Sequence, residues 1–281
     1  MKIIRTVKAM QLEADGLRMA GKHIGFVPTM GALHAGHLSL IHCAKEEADV
    51  VVVSIFVNPT QFGPAEDLDA YPRDFKRDEA LVAGAGADFI FYPAVEEMYP
   101  EPYHTIVSVD TLTEKLCGAS RPGHFAGVTT VVTKLFNAVK PHVAVFGQKD
   151  YQQVAVIRRM VVDLNMDVEV VSAPIVREAD GLAMSSRNAY LSPGEREDAL
   201  ALSSALEEAE RMILSGVRDT GRLWEAIESR VMKKASARID YIAMVDPDTL
   251  EAVESVGQRI LIALAVFVGK TRLIDNRLIE S

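Results

Sequence analysis

The stretch Pro28-Thr29-Met30-Gly31-Ala32-Leu33-His34-Ala35-Gly36-His37 holds the sharpest grouping of reactive residue types in the chain. His34 and His37 stand three apart, a spacing that puts both imidazoles on one face of a helical turn. The apolar run at 23–27 reads as a strand, and 36–48 as a helix. The pair therefore falls at a helix N-terminus, where unpaired backbone N–H groups and the helix dipole attract anions. Histidines there can donate hydrogen bonds to phosphate and add positive charge as negative charge develops. Gly36, without a side chain, lets a phosphate come close to the backbone. Two other readings stay open. Such a pair can bind a metal, although no third ligand stands at motif spacing, or it can simply cap and pack.

Other candidates lie at the ends of further strands. Asn58 and Gln61 follow an apolar run at 50–57, at the carboxyl end where open parallel sheets bind ligands. The amides of Gln61 and Gln153 both donate and accept, which suits reading hydroxyls and a carboxylate. A neutral reader leaves a carboxylate nucleophilic, whereas a tight arginine pair would engage its lone pairs. Either glutamine, taken alone, also fits a solvated loop. Gly147-Gln148-Lys149-Asp150 joins a strand at 143–146 to a helix at 152–164. Gly147 permits close approach, Lys149 supplies a point charge for phosphate, and Asp150 suits ribose hydroxyls or a helix cap. Met184-Ser185-Ser186-Arg187 offers two hydroxyls and a guanidinium for a triphosphate. It follows the Asp180-Gly181 turn, so an ordinary serine-rich loop is the alternative. Arg121, in Arg121-Pro122-Gly123-His124, stands on a loop within reach of such a site. Glu66, Asp67, Asp69, Asp74 and Asp78 are acidic enough to favour a metal, and spacing does not choose among them.

These groups need a frame. Strands are expected at 23–27, 50–57, 88–92, 143–146 and 168–171, with helices at 36–48, 128–139 and 152–164 and one ending across 80–87. The 50–57 run is too hydrophobic for a sheet with one wet face. The pattern predicts an α/β fold with a doubly wound, Rossmann-like parallel sheet over residues 1–176. From 177 to 281 a smaller, lid-like α+β domain is expected. Ser192, Pro193 and Glu195 spell a capping box for a helix to about 214. A second helix should cover 220–235, and strands 238–245 and 260–268. Leu33, Leu38, Ile41 and Trp224 read as packing residues, and His23, His42, His104, His124 and His142 receive no catalytic role.

Composition limits the function classes. The 281 residues carry 30 Lys and Arg against 39 Asp and Glu, a net charge of −9, with no basic block. A general nucleic-acid binder is disfavoured. The two cysteines, Cys43 and Cys117, suit neither a disulfide framework nor a metal motif, and the N-terminus has no apolar signal core. The apolar run at 260–268 is about half the length of a membrane-spanning helix. A cytoplasmic protein without a membrane partner is expected.

His34-Ala35-Gly36-His37 resembles the HxGH signature of the nucleotidylyltransferase superfamily, which also holds the class I aminoacyl-tRNA synthetases. The wider string at 25–34 resembles the pantoate–β-alanine ligase family. So do Phe56-Val57-Asn58-Pro59-Thr60-Gln61-Phe62, Tyr71-Pro72-Arg73-Asp74, Arg121-Pro122-Gly123-His124-Phe125, and Phe146-Gly147-Gln148-Lys149-Asp150-Tyr151-Gln152-Gln153. Met184-Ser185-Ser186-Arg187-Asn188 and 268–276 extend the likeness over essentially the whole chain. It implies an ATP-dependent ligase that joins pantoate to β-alanine through a pantoyl adenylate, with Mg²⁺ on the phosphates, working as a homodimer. By the same resemblance Met30, Gly31, His34, Gly36, His37, Gly147, Gln148, Lys149, Asp150, Val176, Met184, Ser185, Ser186 and Arg187 bind ATP. Gln61, Gln153 and Asn58 bind pantoate, and Gln61 also β-alanine. His34, His37, Lys149 and Arg187 are the expected catalytic set, with His37 as proton donor. Arg187 is a single cation where the synthetase KMSKS-type loop has two lysines. An adenylyltransferase needing no amine, a class I synthetase and a non-catalytic nucleotide sensor are the alternatives, and the net charge argues against a tRNA surface.

Overall fold

Six short strands, rich in β-branched residues, pair in parallel in the computed structural model, which describes residues 1–64 and 66–280. They are β1 (Lys2–Ile4), β2 (Ile24–Thr29), β3 (Val50–Ile55), β4 (Phe89–Phe91), β5 (Val143–Gly147) and β6 (Glu169–Ala173), in spatial order β1-β4-β3-β2-β5-β6. Successive side chains of a strand point to opposite faces, and here both faces are covered. Phe26 and Val52 join one core, whereas Val27, Val51 and Val53 join the other. That double burial is why β3 lacks the polar alternation of a half-wet strand.

Helices α1 (Val7–Met19), α2 (Ala35–Glu47), α3 (Phe75–Gly84), α4 (Val95–Met98), α5 (Cys117–Ser120), α6 (His124–Val139) and α7 (Tyr151–Asp163) link or flank the strands. From β2 the chain proceeds through α2 to β3 and on to β4. It later returns to lay β5 on the other side of β2. Connections thus diverge at the carboxyl ends of β2 and β5, the switch point where open α/β sheets bind ligands.

Residues 176–184 then form a tight hairpin, with Met184 N–H donating to the Val176 carbonyl at 3.0 Å and Gly181 at φ +93°. Beyond it, α8 (Pro193–Leu214) and α9 (Thr220–Val231) cover the antiparallel sheet β7 (Ala237–Val245), β8 (Arg259–Val268) and β9 (Thr271–Glu280). The expected capping box starts α8: Ser192 N–H donates to Glu195 Oε2 at 2.9 Å, and Glu195 N–H to Ser192 Oγ at 3.4 Å. Ile260, Ile262, Leu264, Val266 and Val268 of β8 meet the two helices. Leu261 and Ala263, on the opposite face, pack with Val245 and Leu250 against Leu112, Leu116, Tyr151 and Ala155. The continuous apolar run at 260–268 is therefore a strand buried on both sides.

The expected α/β sheet and smaller α+β unit are both present. Differences lie at the ends and edges. Strand β1, helix α1 and strand β9 were not expected; α6 begins four residues earlier than 128, and α9 stops at Val231. Trp224 is 38% exposed on α9 rather than packed.

Candidate active site

His34 is the N-cap of α2, with φ −141°. Its Nδ1 accepts from Gly36 N–H at 3.1 Å, and His37 Nδ1 accepts from His34 N–H at 3.3 Å. Both Nδ1 atoms are acceptors, so the hydrogen of each neutral ring sits on Nε2. The ring centroids lie 4.1 Å apart. Burial, then the Lys149 charge, brings His34 down to about 4. Burial, His34 and Lys149 hold His37 well below the usual histidine value. The pair is thus two neutral N–H donors, and the positive charge expected of it is absent near pH 7. A Cβ on Gly36 would lie 2.9 Å from His34 Cε1. Glycine is needed there to let the His34 ring fold back over the helix end.

The turn before α2 is held from α3. Asp78, 1% exposed, accepts from Ala32 and Leu33 N–H, each at 2.8 Å. Gly31 has φ +83°, and its Cβ would stand 2.9 Å from Asp78 Oδ2. Two charge-assisted bonds to one carboxylate fix this loop, a task for Asp78 that sequence spacing did not reveal.

Asn58 caps, and Gln61 ends, a single 3-10 turn that follows β3. Asn58 Nδ2 donates to Gln61 Oε1 and to the Gly127 carbonyl, both at 3.1 Å, while its Oδ1 accepts from Tyr99 Oη at 2.8 Å. Both ends of the Asn58 amide are engaged within the protein, and the bond to Gln61 Oε1 orients Gln61. Among the described residues Gln61 Nε2 meets only the weak acceptor Met30 Sδ, at 3.1 Å. Helix α6 presses on this turn so closely that a Cβ on Gly127 would stand 2.4 Å from the Thr60 carbonyl oxygen.

On the other side of the switch point, Lys149 Nζ lies 3.6 Å from Asp150 Oδ2. Asp150 occupies the N-cap of α7 but makes no cap hydrogen bond, so its carboxylate faces the cleft. A Cβ on Gly147 would meet nothing closer than Leu40 Cδ2 at 4.0 Å, leaving room for a ligand. The adjacent glutamines diverge. Gln152, 6% exposed, ties down the turn before α5 through Leu112, Lys115 and Cys117. Gln153 lines the cleft, and its side chain makes no hydrogen bond among the described residues.

The hairpin at 176–184 sets Val176 beside Met184 and delivers Ser185, Ser186 and Arg187 to the cleft wall. Arg187 pairs with Asp67 through two bonds of 2.9 and 3.0 Å. Burial raises the Asp67 carboxyl, but the bonds and charge of Arg187 outweigh it and hold it below its ordinary value. Arg121 pairs with Glu66 through two 2.6 Å bonds and donates to His124 Nε2 at 3.0 Å. The other His124 nitrogen donates to the Gln61 carbonyl at 2.8 Å, a site neighbour that position alone did not suggest.

All of these groups open onto one cleft. A cavity of about 220 Å³ is lined by Met30, His34, Gly36, His37, Asn58, Gln61, Gly147, Lys149, Asp150, Gln153, Val176 and 184–187. It joins a cavity of about 970 Å³ under the small sheet, the two sharing Lys149, Asp150, Gln153, Ser185 and Arg187. Gly31 and Gln148 line neither; they shape loops instead. Among the acidic candidates Glu66, Asp67 and Asp78 are engaged as above, and Asp74 caps α3 through Arg77 N–H at 3.1 Å. Among the described residues no group of three or more His, Cys, Asp or Glu could hold a metal.

A family model described as pantoate-beta-alanine ligase matches residues 2–278. The chain is 56% identical to the pantothenate synthetase of Caldicellulosiruptor bescii over 281 residues, covering 100% of each. It superimposes on the pantothenate synthetase of Thermus thermophilus with a TM-score of 0.94 at 46% identity, covering 99% of both chains. The pantoate-beta-alanine ligase of Francisella tularensis, complexed with β-γ ATP and β-alanine, superimposes with a TM-score of 0.81 at 37% identity, covering 99% of this chain and 97% of that one. With match, identity and fold agreeing from end to end, the chain belongs to the pantoate–β-alanine ligase family.

Proposed function

We propose that this protein condenses pantoate with β-alanine at the expense of ATP, through a pantoyl adenylate. The observation that carries the reading is the shared cleft: neutral imidazole donors, Lys149 and the Ser185–Arg187 turn border the same space as Gln61 and Gln153. In the first step a pantoate carboxylate oxygen bonds to the α-phosphorus of ATP, and the bond to the bridging oxygen breaks to release pyrophosphate. The nucleophile is already ionised at neutral pH, so the enzyme's work is positioning and charge stabilisation. Gln61 and Gln153 hold pantoate, and Gln61 also faces β-alanine. His34 and His37 donate Nε2–H to phosphate oxygens, while Lys149, Ser185, Ser186 and Arg187 hold the departing pyrophosphate. A bound triphosphate favours the imidazolium form of His37 against burial, so proton donation from it awaits the nucleotide.

Arg187 must exchange the Asp67 carboxylate for phosphate as ATP enters. Met30, Gly36, Gly147, Asp150, Val176 and Met184 complete the nucleotide site, Gly31 and Gln148 shape the loops that carry it, and ATP arrives as its Mg²⁺ complex with Asp150 available to that ion. In the second step the β-alanine nitrogen bonds to the acyl carbon, the acyl–phosphate oxygen bond breaks, AMP leaves and the amine sheds a proton. Residues 1–176 form the binding part and 177–281 the cover of a cytoplasmic homodimer. No helix among the described residues is long and apolar enough to cross a membrane.

The test is pyrophosphate release with ATP, Mg²⁺ and pantoate, with and without β-alanine, identifying products by mass spectrometry. A burst without amine and steady formation of pantothenate and AMP with it are expected. Release that ignores pantoate, or none at all, overturns the reading. Light scattering tests the dimer, and a monomer removes that part.

A further inference from the structure

Two consecutive buried residues of β9 bind the two loops that border the nucleotide cleft. Asn276, 4% exposed, donates through Nδ2 to the carbonyls of Gln148 at 3.0 Å and Lys149 at 2.8 Å. Asp275, 3% exposed, accepts from Arg177 at 2.7 and 3.0 Å, and from Asn276 N–H at 2.8 Å. Arg177 also donates to the Gly181 carbonyl at 3.1 Å, across the hairpin that carries Met184 and Ser185. Asp275 thus grips one loop and Asn276 the other. The Asn276 amide has one sensible orientation, because reversing it would aim Oδ1 at two carbonyl oxygens. In the orientation adopted, Oδ1 is buried without a partner among the described residues. A buried, unsatisfied acceptor is costly, and its retention points to a job for the two bonds on the far side of the amide.

We propose that Asp275-Asn276 is a positioning pair that sets the distance between Lys149 and the Ser185–Arg187 turn. Seating of the small sheet is thereby coupled to assembly of the triphosphate site. The inference rests on the ligase reading for the identity of the anion held there. A displacement of about 1 Å in such a site costs on the order of 10²-fold in rate.

The experiment is a double-mutant cycle between Asn276→Asp and Lys149→Ala, read in full-length protein. One readout is pyrophosphate release with ATP and pantoate; the other is calorimetric affinity for a non-hydrolysable ATP analogue. Asn276→Asp keeps size and shape but turns an acceptor toward both carbonyls. Asn276→Ala is run beside it in case aspartate prevents folding, with thermal melts of every variant. Each Asn276 variant is expected to lose roughly 10- to 100-fold in both readouts. In the Lys149→Ala background the further loss should fall below about 3-fold, because the group being positioned is gone. Losses that multiply across the cycle, or an Asn276→Asp protein with near-normal rate and affinity, overturn the proposal. If the unaltered protein binds the analogue yet releases no pyrophosphate, the ligase reading fails, and the affinity cycle still decides the positioning role.

Discussion

Gly127→Ala adds one methyl group at the point where α6 meets the Asn58–Gln61 turn. Alanine by itself would favour the helix by about 1 kcal/mol. Contact works the other way. The new Cβ would lie 2.4 Å from the Thr60 carbonyl oxygen, 2.6 Å from its carbon and 2.7 Å from Gln61 Cα. All three are backbone atoms, so no side chain can rotate away. Reaching an ordinary carbon–oxygen contact requires the helix and the turn to part by about 1 Å, an overpacking cost of about 1–3 kcal/mol. The same separation stretches the bond from Asn58 to the Gly127 carbonyl, and an unsatisfied buried amide costs about 1–3 kcal/mol more. The net expectation is a loss of about 3 kcal/mol, or roughly 5 °C in melting temperature for a chain of this size. Pantoate affinity should fall with it, because Gln61 moves with the turn, while affinity for an ATP analogue should change much less. Urea denaturation and calorimetry with each ligand read the two effects. An alanine variant as stable as the parent, with unchanged pantoate affinity, would refute the account of how Gln61 is held.

Further outcomes follow from the same geometry. His37→Ala should keep the fold and cut pyrophosphate release by about 10²–10³-fold, as for loss of one aimed donor; a rate within about threefold of normal removes His37 from the reaction. Gln153→Ala should weaken pantoate binding without altering stability, since the Gln153 side chain has no hydrogen bond to lose among the described residues. Gln61→Ala should weaken pantoate binding and also cost about 1–3 kcal/mol by leaving one of the two buried Asn58 Nδ2 hydrogens without an acceptor; equal melts for both glutamine variants would contradict that difference. Burial, aided by Lys149 or Arg121, holds His34 and His124 at about 4, against ~6.5 in an unfolded chain. The unfolded chain therefore binds more protons between those values. Their stabilisation is complete above pH ~6.5 and is lost as pH falls toward 4, by ~1.4 kcal/mol per pH unit for each proton taken up. Urea midpoints that stay level from pH 7.5 to 5 would show that these rings are not held neutral.

Much of the frame is readable from short-range pattern. The strand–glycine turn–helix around His34 and His37, the Ser192–Glu195 capping box and the apolar strand β8 are each specified by residues within a few positions of one another. Elements whose pattern is weak escaped. Strand β1 has three residues, and β9 carries Arg272, Asp275, Asn276 and Arg277 amid its apolar positions. Those polar residues suggest a loop until their partners are known: Arg177 for Asp275, and two carbonyls beyond the end of β5 for Asn276.

What the sequence by itself determined is the inventory and its local placement: two histidines on one helical turn, glutamines and a lysine at strand ends, and a hydroxyl-rich turn beside a hairpin. Only the tertiary structure decided what each group is free to do. Asn58 is satisfied by Gly127, 69 residues away, Arg187 is held by Asp67, 120 residues away, and the two rings of the pair are neutral because the folded protein buries them beside Lys149. Hydrogen-bond satisfaction and desolvation depend on which distant surfaces come into contact. Periodicity records which face of an element is apolar, but not which partner will lie against it.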